Sequence, residues 1–177
     1  YDYKGIPTLL EAAASAPELD FVLVGGWERD VRRVRRDAQG FRNVKLTGFV
    51  PGTLVPSILM GADALVLPTS SLDETSAWTS PLKLFEYMAS GTPIVASDLP
   101  AFRPHLTDGE NSILVPPDNA PSLVRALRHL LSNREAAESM GRRARIDAAA
   151  YAWDARAERI LEWTAGRMAD HAVFGRG

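Results

Sequence analysis

Short apolar runs that do not alternate with polar residues constrain this chain most. Phe21-Val22-Leu23-Val24 ends at Gly25-Gly26, Ala64-Leu65-Val66-Leu67 at Pro68, Pro93-Ile94-Val95-Ala96 at Ser97-Asp98, and Ser112-Ile113-Leu114-Val115 at Pro116-Pro117. Val44-Lys45-Leu46 leads into Gly48-Phe49-Val50. Continuous runs of this length predict strands buried on both faces of a parallel sheet, since a half-exposed strand would alternate.

Amphipathic segments separate the runs. Residues 6–15 place Ile6, Leu9, Leu10 and Ala13 on one helical face, and 52–60, 81–89 and 121–131 behave alike. In the last of these, Leu123, Val124, Leu127, Leu130 and Leu131 fall at helical spacing behind Pro121, a residue suited to a first turn. Two further helices are predicted near 134–149 and 154–168. Strand and helix in alternation, with short connections, predict an α/β fold with a doubly wound, mainly parallel sheet. The whole of 1–177 reads as one domain. Helix 6–15 calls for a preceding strand that Tyr1-Asp2-Tyr3-Lys4 is too short and polar to provide. Either that strand lies outside the chain or the sheet is one strand short.

The 177 residues suffice for a single core. The absence of cysteine removes disulfides, thiolate zinc sites and cysteine nucleophiles, and is compatible with a reducing compartment. The longest apolar stretch, Ala62 to Pro68, contains Asp63 and is far shorter than the roughly 20 residues of a spanning helix. No signal-peptide pattern is read, and an opening on Tyr1 rather than Met predicts a fragment. The net charge of −2 excludes a strongly basic nucleic-acid binder. Charge is nonetheless uneven: residues 28–42 carry six Arg against three acids, and residues 63–118 two bases against eight acids. The Arg-rich segment reads either as a solvated helix face or as a contact for an anionic lipid or partner.

Ligands of open α/β sheets bind beyond the carboxyl ends of the strands. There the loop from Pro68 to Thr79 is long for a strand-to-helix connection, which makes it a functional candidate. It feeds a helix starting Ser80-Pro81-Leu82-Lys83, with Ser80 suited to the N-cap and Pro81 to the first turn. Lys83 stands where a capping box would place Glu or Gln, and a first-turn cation opposes the helix dipole by up to about 1 kcal/mol. The arrangement becomes favourable if an anion docks there, although Lys83 and Glu86 also have the spacing of an ordinary surface ion pair. No G-x-G-x-x-G, P-loop or nucleophile elbow occurs, and His105, His129 and His171 lack metal-ligand spacing. Trp153 and Trp163 are expected in the core or in domain packing, and Trp78 beside a site.

Taken in order, Lys4-Gly5 with Leu9-Leu10-Glu11-Ala12, Phe21 to Gly26, VKLTGF (44–49), GADALVLP (61–68), SPLKLFEYMASGTPIVAS (80–97), DGENSILVPP (108–117) and the stretch around Trp153 form a pattern. Over nearly its whole length the chain resembles the C-terminal, donor-binding domain of GT-B fold retaining glycosyltransferases of the family 4 type. The resemblance implies a Rossmann-like half of a GT-B fold that binds a nucleotide-diphosphate sugar, UDP-, GDP- or ADP-linked, as substrate. It implies no metal and no other cofactor.

By the same resemblance Lys4 matches a lysine on the donor diphosphate, and Ser80, Pro81, Leu82 and Lys83 match the helix start facing it. Glu86 matches the second glutamate of an E-x7-E motif, which holds the ribose hydroxyls. Gly48, Phe49 and Val50 match a loop near the base. Eight residues before Glu86 stands Trp78, where the family has its first glutamate. Glu74, or Asp73, is the candidate carboxylate in its place, and Glu74 is the catalytic candidate. The arginine that accompanies the lysine would precede Tyr1.

The implied partners are the nucleotide-sugar donor and the protein's own N-terminal acceptor domain, with no nucleic acid. The implied setting is cytoplasmic, with peripheral contact at the inner membrane face through the Arg-rich segment. Alternatives are a non-catalytic GT-B-like module or a related enzyme such as a sugar-nucleotide epimerase. A flavodoxin-like signalling domain fits less well, for want of an acidic cluster after the strand ends.

Overall fold

Strand β4 (Ile94–Ser97) is buried at every position and anchors the architecture. The computed structural model describes residues 4–72, 76, 78 and 82–174, with side chains up to residue 165. In chain order the elements are α1 (Ile6–Ser15), β1 (Phe21–Val24), α2 (Glu28–Asp37), β2 (Val44–Gly48), α3 (Val55–Met60), β3 (Leu65–Leu67), α4 (Leu82–Ser90) and β4. There follow β5 (Ile113–Val115), α5 (Ala120–Ser132), α6 (Arg134–Ala148) and α7 (Trp153–Phe174). All the predicted strands and helices are present. Glu28–Asp37 adds a helix whose arginine-rich face is solvated, with Arg32 reaching Glu28 at 2.6 Å.

Every strand pair is parallel, but the strands form two ladders, β1-β2 and β3-β4-β5. Alternate residues of β4 feed opposite layers. Val95 joins Leu9, Ala12 and Ala13 of α1 and Leu123 and Leu127 of α5, whereas Ile94 and Ala96 join Leu84 and Met88 of α4. Each such large side chain, once buried, contributes about 1.5–3 kcal/mol. The first layer also takes Phe21 and Leu23 of β1 and Val66 of β3, so both ladders share it. The opposite face of β1 departs from expectation: Val22 is 52 % exposed, because the covered side of β1 is the one facing α1 and α5.

Local chemistry explains several boundaries. The Asn119 side chain accepts from the Ser122 N–H at 2.9 Å and caps α5, with Pro121 in the first turn. The buried amide of Asn43 donates to the carbonyls of Ala13, Ala16 and Leu19 at 2.9–3.1 Å, tying the end of α1 to the start of β2. Gly141 lets α6 approach the end of α4, since a β-carbon there would lie 2.0 Å from the Gly91 carbonyl oxygen.

Trp153 and Trp163 are not in the core of this domain: they are 79 % and 61 % exposed, because α7 packs chiefly against the turn before it. No helix among the described residues is long and apolar enough to cross a membrane.

Candidate functional site

The carboxyl ends of the strands bring together residues that lie far apart in sequence. Gly5 caps α1 in the left-handed region, at φ 69°, and lies against Pro68, the residue that follows β3. A β-carbon at this position would stand 1.6 Å from the Pro68 carbonyl oxygen, so only glycine fits. This contact puts Lys4 beside the start of α4.

Lys83 occupies the first turn of α4, which has no acidic residue. Its side chain reaches solvent, yet protein crowds its ammonium. That burial is the leading cause of a pKa below the ordinary lysine value. The charge of Lys4 lowers it further, and Glu86, one turn along, partly offsets both. Two ammonium groups and one carboxylate thus gather around a helix N-terminus. Chemically, an arrangement of this kind suits an anion with hydroxyl groups beyond it: two cations for the charge, and a carboxylate acceptor for the hydroxyls.

The long loop after β3 is held at both described ends of its first half. Thr69 and Ser70 are buried, and the buried Ser76 hydroxyl donates to the Ser70 carbonyl at 2.6 Å. The Ser71 N–H and hydroxyl both donate to Oδ2 of Asp118 at 2.9 Å. Burial pushes the Asp118 carboxyl up, but the bonds from Ser71 and the Ser70 hydroxyl outweigh it, and the pKa falls below the usual carboxylate range. Asp118 is also the one non-glycine described residue with positive φ, at 55°. Sequence reasoning missed it. Its signal was the Pro116-Pro117-Asp118-Asn119 turn after β5, a composition that marks a tight bend without naming the partner.

Of the expected site residues, the structure brings Lys4, Lys83 and Glu86 together, with Leu82 exposed beside them. Gly48 ends β2 in the other ladder, and Phe49 and Val50 follow it. There the Gly48 carbonyl accepts from the Gly25 N–H at 2.9 Å, and Phe49 is 84 % exposed. Trp78 is exposed on the loop. Glu74 and its alternative Asp73 lie outside the described residues, as do Ser80 and Pro81. Among the described residues no group of three or more His, Asp or Glu could hold a metal ion. His105 instead stacks edge-on with Phe85 and Tyr151, at 5.0 and 4.9 Å between ring centres.

Comparison with known proteins gives the family and the fold. The sequence model described as "Glycosyl transferases group 1" matches residues 1–133. The phosphatidyl-myo-inositol mannosyltransferase of Mycolicibacterium smegmatis is 31% identical over 163 residues, covering 89% of this chain and 40% of that protein. The chain thus spans about two-fifths of the length of the curated relatives it matches.

Two solved structures share the Rossmann-like arrangement of GT-B glycosyltransferases. Anabaena Alr3699/HepE in complex with UDP-glucose superposes with a TM-score of 0.78 at 19% identity, over 94% of this chain and 46% of that one. The C-terminal domain of a Francisella tularensis glycosyl transferase group 1 family protein, LpcC, gives 0.68 at 20% identity, over 84% of this chain and 80% of that one.

Proposed function

Because the chain belongs to the group 1 glycosyltransferases, we propose that it is the C-terminal, nucleotide-sugar-binding half of a retaining GT-B enzyme of the family 4 type. One observation carries the reading: Lys4 and Lys83 converge at the start of α4, with Glu86 one turn in. Transfer of a sugar leaves a nucleoside diphosphate, and the chemical demand is to stabilise the charge growing on it. Helix N–H groups and two ammonium groups placed beforehand meet that demand without reorganisation. Lys4 and Lys83 take the diphosphate, Glu86 the ribose hydroxyls, and Gly48, Phe49 and Val50 the edge of the base. Leu82, with Ser80 and Pro81 ahead of it in the sequence, is assigned to the phosphates, and Glu74 is the candidate carboxylate for the sugar. This scheme routes no step through a metal.

The acceptor site belongs, in this reading, to the protein's own N-terminal domain, so residues 1–177 alone bind donor and turn nothing over. HepE was solved with UDP-glucose, which supports a nucleotide-sugar ligand for the fold. The matched length of LpcC, a C-terminal domain, supports the placement in the enzyme. The test is calorimetric titration of UDP-, GDP- and ADP-sugars against the full-length protein and its Glu86→Ala variant. We expect one donor class to bind and the variant to bind it at least about tenfold more weakly. Equal affinity in both proteins would overturn the role of Glu86.

One observation favours a second reading, a non-catalytic module: Trp78, exposed on the loop, stands eight residues before Glu86 in place of a carboxylate. Donor hydrolysis or transfer by the full-length protein rejects it.

The enzyme works in the cytoplasm at the inner membrane face, with the arginines of α2 on anionic lipid. Arg29, Arg32, Arg35 and Arg36 line one shallow concavity of that helix, which supports such a contact. Vesicles rich in anionic lipid should sediment the protein at low salt and release it at moderate salt. Binding indifferent to salt would remove the membrane role.

A further inference from the structure

Three rings from three separate segments meet on the helix that carries the candidate site. His105, in the connection between β4 and β5, stands edge-on to Phe85 of α4 and to Tyr151, and Phe85 and Tyr151 lie 4.9 Å apart between ring centres. Phe85 comes one residue before Glu86. Tyr151 ends the short turn Ala149–Tyr151, against which α7 chiefly packs. The cluster therefore ties the root of α7 to α4.

The backbone of His105 is held at both ends. Its N–H donates to the Phe102 carbonyl at 2.9 Å, and its carbonyl accepts from the Asn111 amide at 3.1 Å, which also donates to Asp147 of α6 at 2.9 Å. The ring is provided for less well. Its Nδ1 is buried and has no hydrogen-bond partner among the described residues. A neutral imidazole tolerates this, because Nδ1 can be the nitrogen without a hydrogen. The imidazolium carries a hydrogen on both nitrogens, so a second proton leaves a buried N–H with nothing to donate to.

The charged groups on the surrounding elements do not relieve that N–H. On α4, Lys83 and Glu86 act on each other, and burial keeps Tyr87 neutral by raising its pKa. In the connection after β4, Arg103 holds Asp98 at 2.8 Å. On α6, Arg143 takes Asp147 at 2.9 Å, and Arg145 lies over Gly91. On α7, Asp154 is exposed, Arg156 lies over the Trp153 ring, and Arg159 donates to the Ala150 carbonyl at 2.7 Å. Burial alone lowers the pKa of His105 below the ordinary histidine value.

We propose that this ring cluster is a pH-sensitive latch: neutral His105 holds the turn that leads into α7 against α4, and a proton on His105 opens it. Opening restores the ordinary affinity of the ring for a proton. The open form therefore gains as pH falls below the ordinary histidine range, and stops gaining below the pKa of the closed form. The carboxyl-end helix is thus joined to the helix of Lys83 and Glu86 through one titrating side chain.

Hydrogen exchange on the full-length protein, normalised to the intrinsic rate at each pH, reads the opening. The Ala152 N–H, donated to the Ala149 carbonyl, and the Arg156 N–H, donated to the Ala152 carbonyl, report the turn and the start of α7. Their opening should rise as pH falls through the histidine range, by at most about tenfold per pH unit, the limit for one proton, while the amides of β4 stay protected. His105→Phe keeps a ring in place and takes no proton, so its rise should vanish. A rise of the same size in that variant, or none in the parent protein, overturns the latch. A second variant decides the matter even where His105→Phe fails to fold. Tyr151→Ala removes part of the cover from His105, whose pKa, followed by NMR, should move up toward the ordinary value; an unmoved pKa overturns the latch as well.

Discussion

Lys4 and Lys83 stand close enough for the charge of one to lower the pKa of the other, although burial of Lys83 contributes more. Like charges held together cost the folded protein something that an anionic ligand returns. A site of this kind is poised to bind.

Removing either cation tests the cost and the return together. In the full-length protein, Lys83→Ala should weaken nucleotide-sugar binding by about 1.5–3 kcal/mol, roughly 10- to 150-fold. Its thermal midpoint should stay the same or rise, since the variant no longer buries an ammonium beside Lys4. Titration and thermal melting on the same samples check both halves.

The proton balance follows the same logic. The pKa of Lys83 is lowered in the folded protein, so the group loses its proton in a less alkaline range than a free lysine does. A bound diphosphate favours the ammonium and raises the pKa again. Donor binding should therefore take up protons between the lowered pKa of the free protein and the higher one of the complex, and affinity should fall as pH rises through the former. Calorimetry in buffers of different ionisation enthalpy reads the uptake directly. The Lys83→Ala variant should show less of it.

Gly5→Ala should be far more damaging than its size suggests. The added carbon meets the Pro68 carbonyl oxygen at 1.6 Å, and the left-handed backbone adds its own strain. We expect a loss of about 2 kcal/mol or more in denaturant titration, together with weaker donor binding, because Lys4 moves with the helix start.

In the core, Phe102→Ala should cost about 3–5 kcal/mol, since Phe102 is wholly buried in the layer beside Leu84 and Met88. Chemical denaturation measures it. Donor affinity extrapolated to the folded fraction should not change, which separates this variant from those at the site.

Asp118 makes the loop pH-dependent. Its pKa is held low in the folded protein, so its contribution is complete above the unfolded carboxylate range and is lost as pH falls through the folded value. Acid should loosen residues 69–72 before the core unfolds, and Asp118→Ala should reproduce that at neutral pH. Hydrogen exchange at Ser71, whose N–H donates to Asp118, reports both.

Much of this was legible in the residues. Ile94-Val95-Ala96 has no alternation because both faces of β4 are covered, and a lysine in the first turn of α4 is informative because it opposes the local dipole. Helix α2 was harder to read: its arginines dominate the pattern, and Val34 is its one buried residue. Trp153 looked like core because large aromatic residues usually are, but burial needs a partner and α7 has little around it. The split of the sheet and the Asp118–Ser71 bonds are pairings between distant residues, which no local spacing encodes.

The tether from Asp118 to Ser71 has a kinetic consequence. Folding has already fixed residues 69–72 against Asp118, so on the proposed reading donor binding need not order that stretch of chain. Donors should then differ in the lifetime of their complexes more than in the rate at which those form.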